Sequence, residues 1–491
     1  MDPFELLPEE VWIHLMEFCG GNDLLRLSET CTGIKNIIFR EEKLSGKLRL
    51  SVSLNCSTKL PRPTLDEVKK ITEERKISAV KIINIDRFIE LVEDLSVLFP
   101  MLQHLSVVTE DLYICCYPNR ELLCFDESPI AKSIVKGMIH MFLPKLKNLV
   151  VENLSLCQDR EEDNAKKIPI APTAEGFNFP LESLSMIDTD PDILEDLSCC
   201  RYVKTFTYDE EKTSATNYDA TCSLINFFLR HQLGLKVLLL DVVDSCHPSR
   251  YEQPTVTADW VEFPFKLQEL KVSGIYGACS YTFGQFLEKQ DQLKKLSMKF
   301  REFPNDQLIE IICRLPCLKE LHIINQSIAS SSKLEAPFES SNQTVTSITL
   351  TRCSSFIGKL AKIFESVENF TVNGGDLGNI SHEKLEKVWI EPDLFCSYEE
   401  LDYRPEFPEC KESFEADILK FIKRHSTMLK FVTIEVKPRQ AERFEFSLEF
   451  CKKLVQKLPR LQRLTLNKVA ESNELKKFMA KNRRRCALRL N

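Results

Sequence analysis

Residues 266–323 read KLQELKVSGIYGACSYTFGQFLEKQDQLKKLSMKFREFPNDQLIEIICRLPCLKELHI, and one phrase recurs within them. It is apolar-x-x-apolar-x-apolar: Leu267-Leu270-Val272, then Leu293-Leu296-Met298, then Leu318-Leu321-Ile323. The last two apolar residues of each phrase are two apart, so they share one face of a short strand. Between the second and third phrases, Asp306–Arg314 places Leu308, Ile311 and Ile312 at helical spacing. A strand and a helix returning at a steady interval mark a stacked-repeat architecture. No single repeat can bury its apolar face alone, but neighbours share one continuous core.

Outward from this stretch the phrase continues in both directions. Upstream it reads Val80-Ile83-Ile85, Leu102-Leu105-Val107, Leu146-Leu149-Val151, Leu181-Leu184-Met186, Val203-Phe206-Tyr208 and Leu235-Leu238-Leu240. Downstream it reads Val345-Ile348-Leu350, Val367-Phe370-Val372, Leu385-Val388-Ile390, Leu429-Val432-Ile434 and Leu461-Leu464-Leu466. Proline often stands just before the strand, as at Pro100, Pro144, Pro180, Pro316 and Pro459. There it removes a helix donor and biases its neighbour towards extended structure. This series of about fourteen phrases predicts an α/β fold, a leucine-rich-repeat solenoid with a curved parallel sheet inside and helices outside. The repeats depart from the usual form. The position five residues after the second repeat leucine, often Asn or Cys, is Cys353 once but Thr189, Val243, Arg301, Gln326 and Val469 elsewhere. A ladder of side chains bonding the loop backbone is therefore expected to be largely absent.

If the phrases are strands, the residues between the apolar ones point onto the concave sheet. That face would carry Glu269 and Lys271, Lys295 and Lys299, Glu320 and His322, then Ser347, Thr349, Asn369 and Thr371. Trp389 and Phe431 fall at outward positions, with Arg463 on a later rung. Exposed Trp, Phe and Arg are frequent interface anchors. The candidate substrate-binding residues are accordingly Trp389, Phe431, Arg463, Lys295, Lys299 and His322. The segment preceding Leu429 can alternatively fold over Trp389 and Phe431 and bury them. Segments 157–178, 241–262, 325–344 and 391–415 are longer than repeat connections need, and 391–415 reads either as a loop that receives a basic peptide or clamps over the concave face, or as a solvated surface loop. The terminal run KKFMAKNRRRCALRLN predicts a capping helix followed by a final edge strand.

The N-terminus has a different texture. Residues 5–38 read ELLPEEVWIHLMEFCGGNDLLRLSETCTGIKNII and predict three short helices, with Pro8 opening the first and Thr32 capping the third. The first carries two apolar stripes, Val11, Leu15, Phe18 and Trp12, Met16, Cys19. A unit of about 40 residues is rarely stable with both exposed, so one stripe serves a small core and the other a partner. Sequence alone does not say which. Leu7-Pro8, Glu10, Val11, Leu15, Asp23-Leu24-Leu25, Leu27, Ser28 and Cys31 fall in order on the pattern of the F-box. Together with the repeats, the chain resembles the F-box/leucine-rich-repeat family. It departs from the pattern at Ile34, where many F-boxes carry Trp.

That resemblance implies an F-box over 1–44, a linker and first repeat or cap over 45–79, and the solenoid over 80–491. It implies docking to the Skp adaptor of a Skp–cullin–F-box ubiquitin ligase, and through it to a cullin. The adaptor-binding residues would be Leu7, Pro8, Val11, Leu15, Phe18, Leu24, Leu27, Cys31 and Ile34. Reactive chemistry would then come from ring-finger and conjugating subunits, with this chain a non-catalytic receptor for a protein substrate. The alternative is an interaction scaffold whose first helices only cap the repeats.

Bulk properties fit an intracellular protein of the cytoplasm, the nucleus or both. The chain has 491 residues, 43% apolar and 28% charged, with a net charge of −8 that disfavours general nucleic-acid binding. No apolar run is long enough to span a membrane. The 19 cysteines are scattered, odd in number and without a CxxC pair, as expected of reduced core thiols. No GxSxG, Gly-rich phosphate loop or HExxH occurs, so no enzyme activity, cofactor or metal is expected.

Overall fold

The computed structural model describes residues 8–19, 21–41, 44, 51–55, 79–83, 99, 102–108, 129–152, 179–189, 191–210, 218–242, 263–275, 280–300, 306–325, 341–351, 360, 363–373, 377, 380, 382–391, 407–436, 445–467, 469, 472–482 and 487–490. The chain divides into two compact units, Met1–Leu235 and Lys236–Asn491.

The first unit opens with α1 (Glu9–Met16), α2 (Gly21–Ser28) and α3 (Thr32–Arg40). Pro8 stands at the N-cap of α1, and Glu9 and Glu10 occupy the first turn, where the helix dipole favours them. Cys31, rather than Thr32, caps α3: its sulfur accepts from the Ile34 amide at 3.4 Å. The strands follow as β1 (Ser51–Asn55), β2 (Ala79–Ile83), β3 (His104–Val108), β4 (Asn148–Glu152), β5 (Ser183–Ile187) and β6 (Thr205–Glu210). Among the described residues α4 (Pro129–Phe142), α5 (Ile193–Asp196) and α6 (Tyr218–Arg230) accompany them. Strands β1 to β6 pair in parallel in chain order.

The second unit repeats the scheme with β7 (Val237–Val242), β8 (Glu269–Ile275), β9 (Lys295–Phe300), β10 (Glu320–Asn325) and β11 (Ser347–Thr351). It continues through β12 (Asn369–Asn373), β13 (Lys387–Glu391), β14 (Phe431–Ile434), β15 (Arg463–Leu466) and β16 (Ala487–Leu490). Helices α7 (Ser280–Glu288), α8 (Asp306–Cys313), α9 (Phe407–His425), α10 (Leu448–Lys457) and α11 (Ser472–Asn482) fill the connections. Again every strand pairs in parallel with its neighbour in chain order.

One backbone device ties repeat to repeat. The residue before a strand offers its carbonyl to two consecutive amides of the next repeat. The Lys294 carbonyl accepts from Lys319 and Glu320 at 2.8 and 3.0 Å, and the Thr346 carbonyl from Glu368 and Asn369 at 2.9 and 3.0 Å. These bonds hold successive strands in register, so their apolar pairs stack. Leu270, Leu296, Leu321, Ile348, Phe370, Val388, Val432 and Leu464 are all buried in one row. Gly284 in α7 leaves room for Ile311 of α8, since a Cβ there would lie 2.8 Å from Ile311 Cδ1.

Several sequence expectations need correction. Residues 45–79, expected as a linker and first repeat or cap, hold the strand β1, which the series of phrases does not include because its phrase would begin at Arg49, a charge where the phrase needs an apolar residue. In β2 the paired positions are Val80 with Leu105 and Ile82 with Val107. The phrase there is therefore Ile77-Val80-Ile82, not Val80-Ile83-Ile85. Apolar residues at 80, 82, 83 and 85 permit two registers, and the neighbouring strand selects one. Part of 391–415, expected as a loop, is the start of α9, with Pro408 in its first turn, where a missing amide is tolerated. The run at the C-terminus forms the expected helix and edge strand, α11 and β16.

Loop-bonding side chains are displaced rather than absent. Asn467 donates to the Val436 carbonyl and accepts from its amide, both at 2.7 Å. Asn342 donates to the Cys313 carbonyl at the end of α8 and accepts from the Thr344 and Val345 amides. Thr189, at the position where Asn is usual, does bond the Val151 and Ile187 carbonyls. Residues 157–178 lie outside the described residues.

Candidate binding surfaces

The small helices resolve the ambiguity of the two stripes on α1. Met16, Leu24, Ile34, Ile37, Ile38 and Leu44 form a buried cluster, with Trp12, Ile13, Cys19, Leu27 and Cys31 packed against it. Trp12, Met16 and Cys19 therefore face inward. Val11, Leu15 and Phe18 face solvent, at 39%, 48% and 79% exposure. Pro8 is exposed beside them, and Leu27 and Cys31 are half-buried. Two of the residues assigned to the adaptor must be corrected: Leu24 and Ile34 have their surface inside the bundle and offer almost none to a partner. Leu7 lies outside the described residues.

In the second unit, residues between the buried pairs line the sheet's other face, as the strand period requires. One row across it runs Glu269, Lys295, Glu320, Ser347, Asn369, Lys387, Phe431, Arg463 and Ala487. The next runs Lys271, Ser297, His322, Thr349, Thr371, Trp389, Thr433, Thr465 and Arg489. All six sequence-predicted substrate-binding residues lie on this face, but not in one patch.

Lys295, Lys299 and His322 belong to a self-satisfied group. Lys295 pairs with Glu320 at 3.2 Å, and Lys271 and Lys299 reach Asp241 at 3.3 and 3.6 Å. Burial would raise the Asp241 carboxyl, but the Ser273 hydroxyl and the Lys299 and Lys271 ammonium groups outweigh it and hold it below the ordinary carboxylate range. His322 lies 3.4 Å from the Ser297 hydroxyl, and burial, then the Lys271 charge, lowers its pKa. At the other end Trp389 is 42% exposed and Phe431 half-buried one strand away. Described portions of the segment before Leu429 thus do not bury Trp389. Lys387 and Arg463 flank the rings, are exposed and make no ion pair among the described residues. Lys387 was missed in the sequence, although it stands at the same outward offset as Lys295. Exposed Arg489 in β16 was missed because that phrase would begin at Arg485, a charge.

Beneath this end lies a histidine pair. The His425 Nε2 accepts from the His382 amide at 3.1 Å, and its Nδ1 bonds the Phe421 carbonyl at 2.9 Å. Burial, and then the proximity of His425, lowers His382 to about 4. Among the described residues no His, Cys, Asp and Glu group could hold a metal, and no helix is long and apolar enough to cross a membrane. The described cysteines are unbridged, and Cys200, Cys222, Cys313 and Cys451 are buried.

No family model and no curated protein matches the chain. Among solved structures it is similar to a protein from Bacteroides fragilis, at 13% identity over 46% of this chain and 65% of that one, with a TM-score of 0.26. It is also similar to an internalin from Listeria monocytogenes, at 13% identity over 63% of this chain and 80% of that one, with a TM-score of 0.28. The chain thus spans less than two thirds of the first of these structures.

Proposed function

We propose that the chain is the substrate-recognition subunit of a Skp–cullin–F-box ubiquitin ligase, binding the Skp adaptor through its N-terminal helices and a protein substrate through its repeats. The observation that carries this reading is the stripe Val11, Leu15 and Phe18, left in solvent beside a core that the opposite stripe already closes. Three apolar side chains in series along the exposed face of α1 and the turn that follows it are better explained by a partner than by chance. Their order within the F-box pattern of residues 7–31 supports the adaptor as that partner. In this scheme the chain is not itself an enzyme. It acts in the cytoplasm or nucleus by proximity, raising the effective concentration of a substrate lysine near charged ubiquitin.

The test is copurification of the full-length protein with the Skp adaptor. Leu15→Asp with Phe18→Asp should abolish copurification while leaving the thermal melting curve unchanged, because both side chains are already exposed. Adaptor binding that survives this double substitution would overturn the assignment.

A further inference from the structure

The two ends of the polar face in the second unit differ in one physical respect. From β7 to β10 the cations have carboxylate partners within the chain. From β13 to β15 Lys387 and Arg463 have none among the described residues, and between them stand an exposed Trp389 and a half-buried Phe431. Lys387, Phe431 and Arg463 lie on successive strands of one row, so the two cations are about 10 Å apart at the backbone. Trp389 stands two residues along β13 from Lys387, about 7 Å away on the same face. The carboxylate Glu391, further along β13, accepts from the Asn373 amide nitrogen at 3.0 Å.

We infer that this patch takes an acidic peptide segment of a partner protein carrying at least one bulky apolar side chain. The occupant follows from complementarity. Unpaired cations select carboxylates or phosphates, and the ring faces of Trp389 and Phe431 select an aliphatic or aromatic group beside them. A basic segment fails the first requirement, and a purely hydrophilic one fails the second. The inference deepens the receptor reading by giving its substrate a chemistry, and it is tested without the adaptor, so the two can fail separately.

The probe is a fluorescein-labelled peptide in which pairs of glutamates alternate with Phe and Leu, titrated into the full-length protein at low salt. Two controls accompany it, one with lysine for glutamate and one with serine for Phe and Leu. Binding of the acidic apolar peptide is expected, weakened about thirtyfold by Trp389→Ala, on the scale of a hot-spot aromatic. Lys387→Glu with Arg463→Glu should weaken it comparably, whereas Lys295→Glu should leave it unchanged. A version with phosphoserine in place of two glutamates reports whether phosphate is preferred to carboxylate at the same site. Failure of the acidic peptide to bind, equal binding of the lysine control, or binding indifferent to both the Trp389 and the Lys387/Arg463 substitutions would overturn the proposal.

Discussion

The β7–β10 end and the β13–β16 end of the second unit share strand geometry and register, yet they use their charges in opposite ways. At the first, Asp241 draws Lys271 and Lys299 onto itself, and Glu320 draws Lys295. At the second, Phe431 stands in the row of Glu320, and Lys387 and Arg463 on either side of it have no ion pair among the described residues. A repeat fold fixes where an outward side chain points, but not whether a neighbouring strand will neutralise it. A polar face can therefore be closed electrostatically at one end and open at the other.

The comparison breaks most clearly in stability. Phe370 packs in the core beneath β13, and Phe370→Ala should cost about 3–5 kcal/mol in chemical denaturation. Trp389→Ala, on the opposite face of the adjoining strand, should cost no more than about 1 kcal/mol. A Trp389 loss as large as that of Phe370 would mean that the ring serves the fold and not a partner.

Acid should sharpen the same contrast. His382 is held neutral by burial, so its folded pKa of about 4 lies below the ordinary 6.5 of the unfolded chain. The unfolded state then binds a proton that the folded state refuses. Stability conferred on the β12–β14 layer is intact above the unfolded pKa and declines as pH falls from 6.5 towards 4, by about 2 kcal/mol at pH 5. His425, lowered by burial and by Arg424, adds to the loss in the same direction. Asp241 behaves in the opposite sense. Its folded pKa is depressed, so its contribution persists above the unfolded carboxylate value and is lost only as pH falls through the folded one. Melting curves between pH 7 and pH 5 should thus fall for the parent chain and flatten for His382→Leu.

The smallest effect concerns the closed end alone. Asp241→Asn removes the counter-charge of Lys271 and Lys299 and should cost about 1 kcal/mol at low salt, less as salt rises, because both lysines are partly exposed. The acidic peptide should then gain a weaker second site at β7–β9, read as a second phase in the titration. No second phase at low salt would mean that unpaired lysines without an aromatic neighbour do not suffice.

Much of this was legible in the sequence. The phrase located β3 to β15, the two-residue alternation sorted Leu270 from Lys271, and the outward offset placed Trp389, Phe431 and Arg463 on the polar face. The amphipathic reading of α1 found both stripes. Misreadings arose where several apolar residues stood together, as at Val80–Ile85, or where a charge replaced the phrase's first residue, as at Arg49. In 391–415, acidic and aromatic residues with three prolines masked the beginning of α9.

What the sequence determined by itself is periodic: which residues alternate, which strands follow which, and where a stripe of apolar surface must exist. Such properties depend on spacing along one chain, and spacing is written there. What only the tertiary structure decided is pairwise. It turned Trp12 and Met16 inward and left Leu15 and Phe18 in solvent, because Leu24, Ile34 and Ile38 of the other helices close over one side of α1. It neutralised Lys299 through Asp241 and left Lys387 and Arg463 unpaired among the described residues, because charge pairing depends on distances across strands from separate repeats. Coulomb attraction and burial act through space, and the order of residues in a chain does not encode which distant ones will meet.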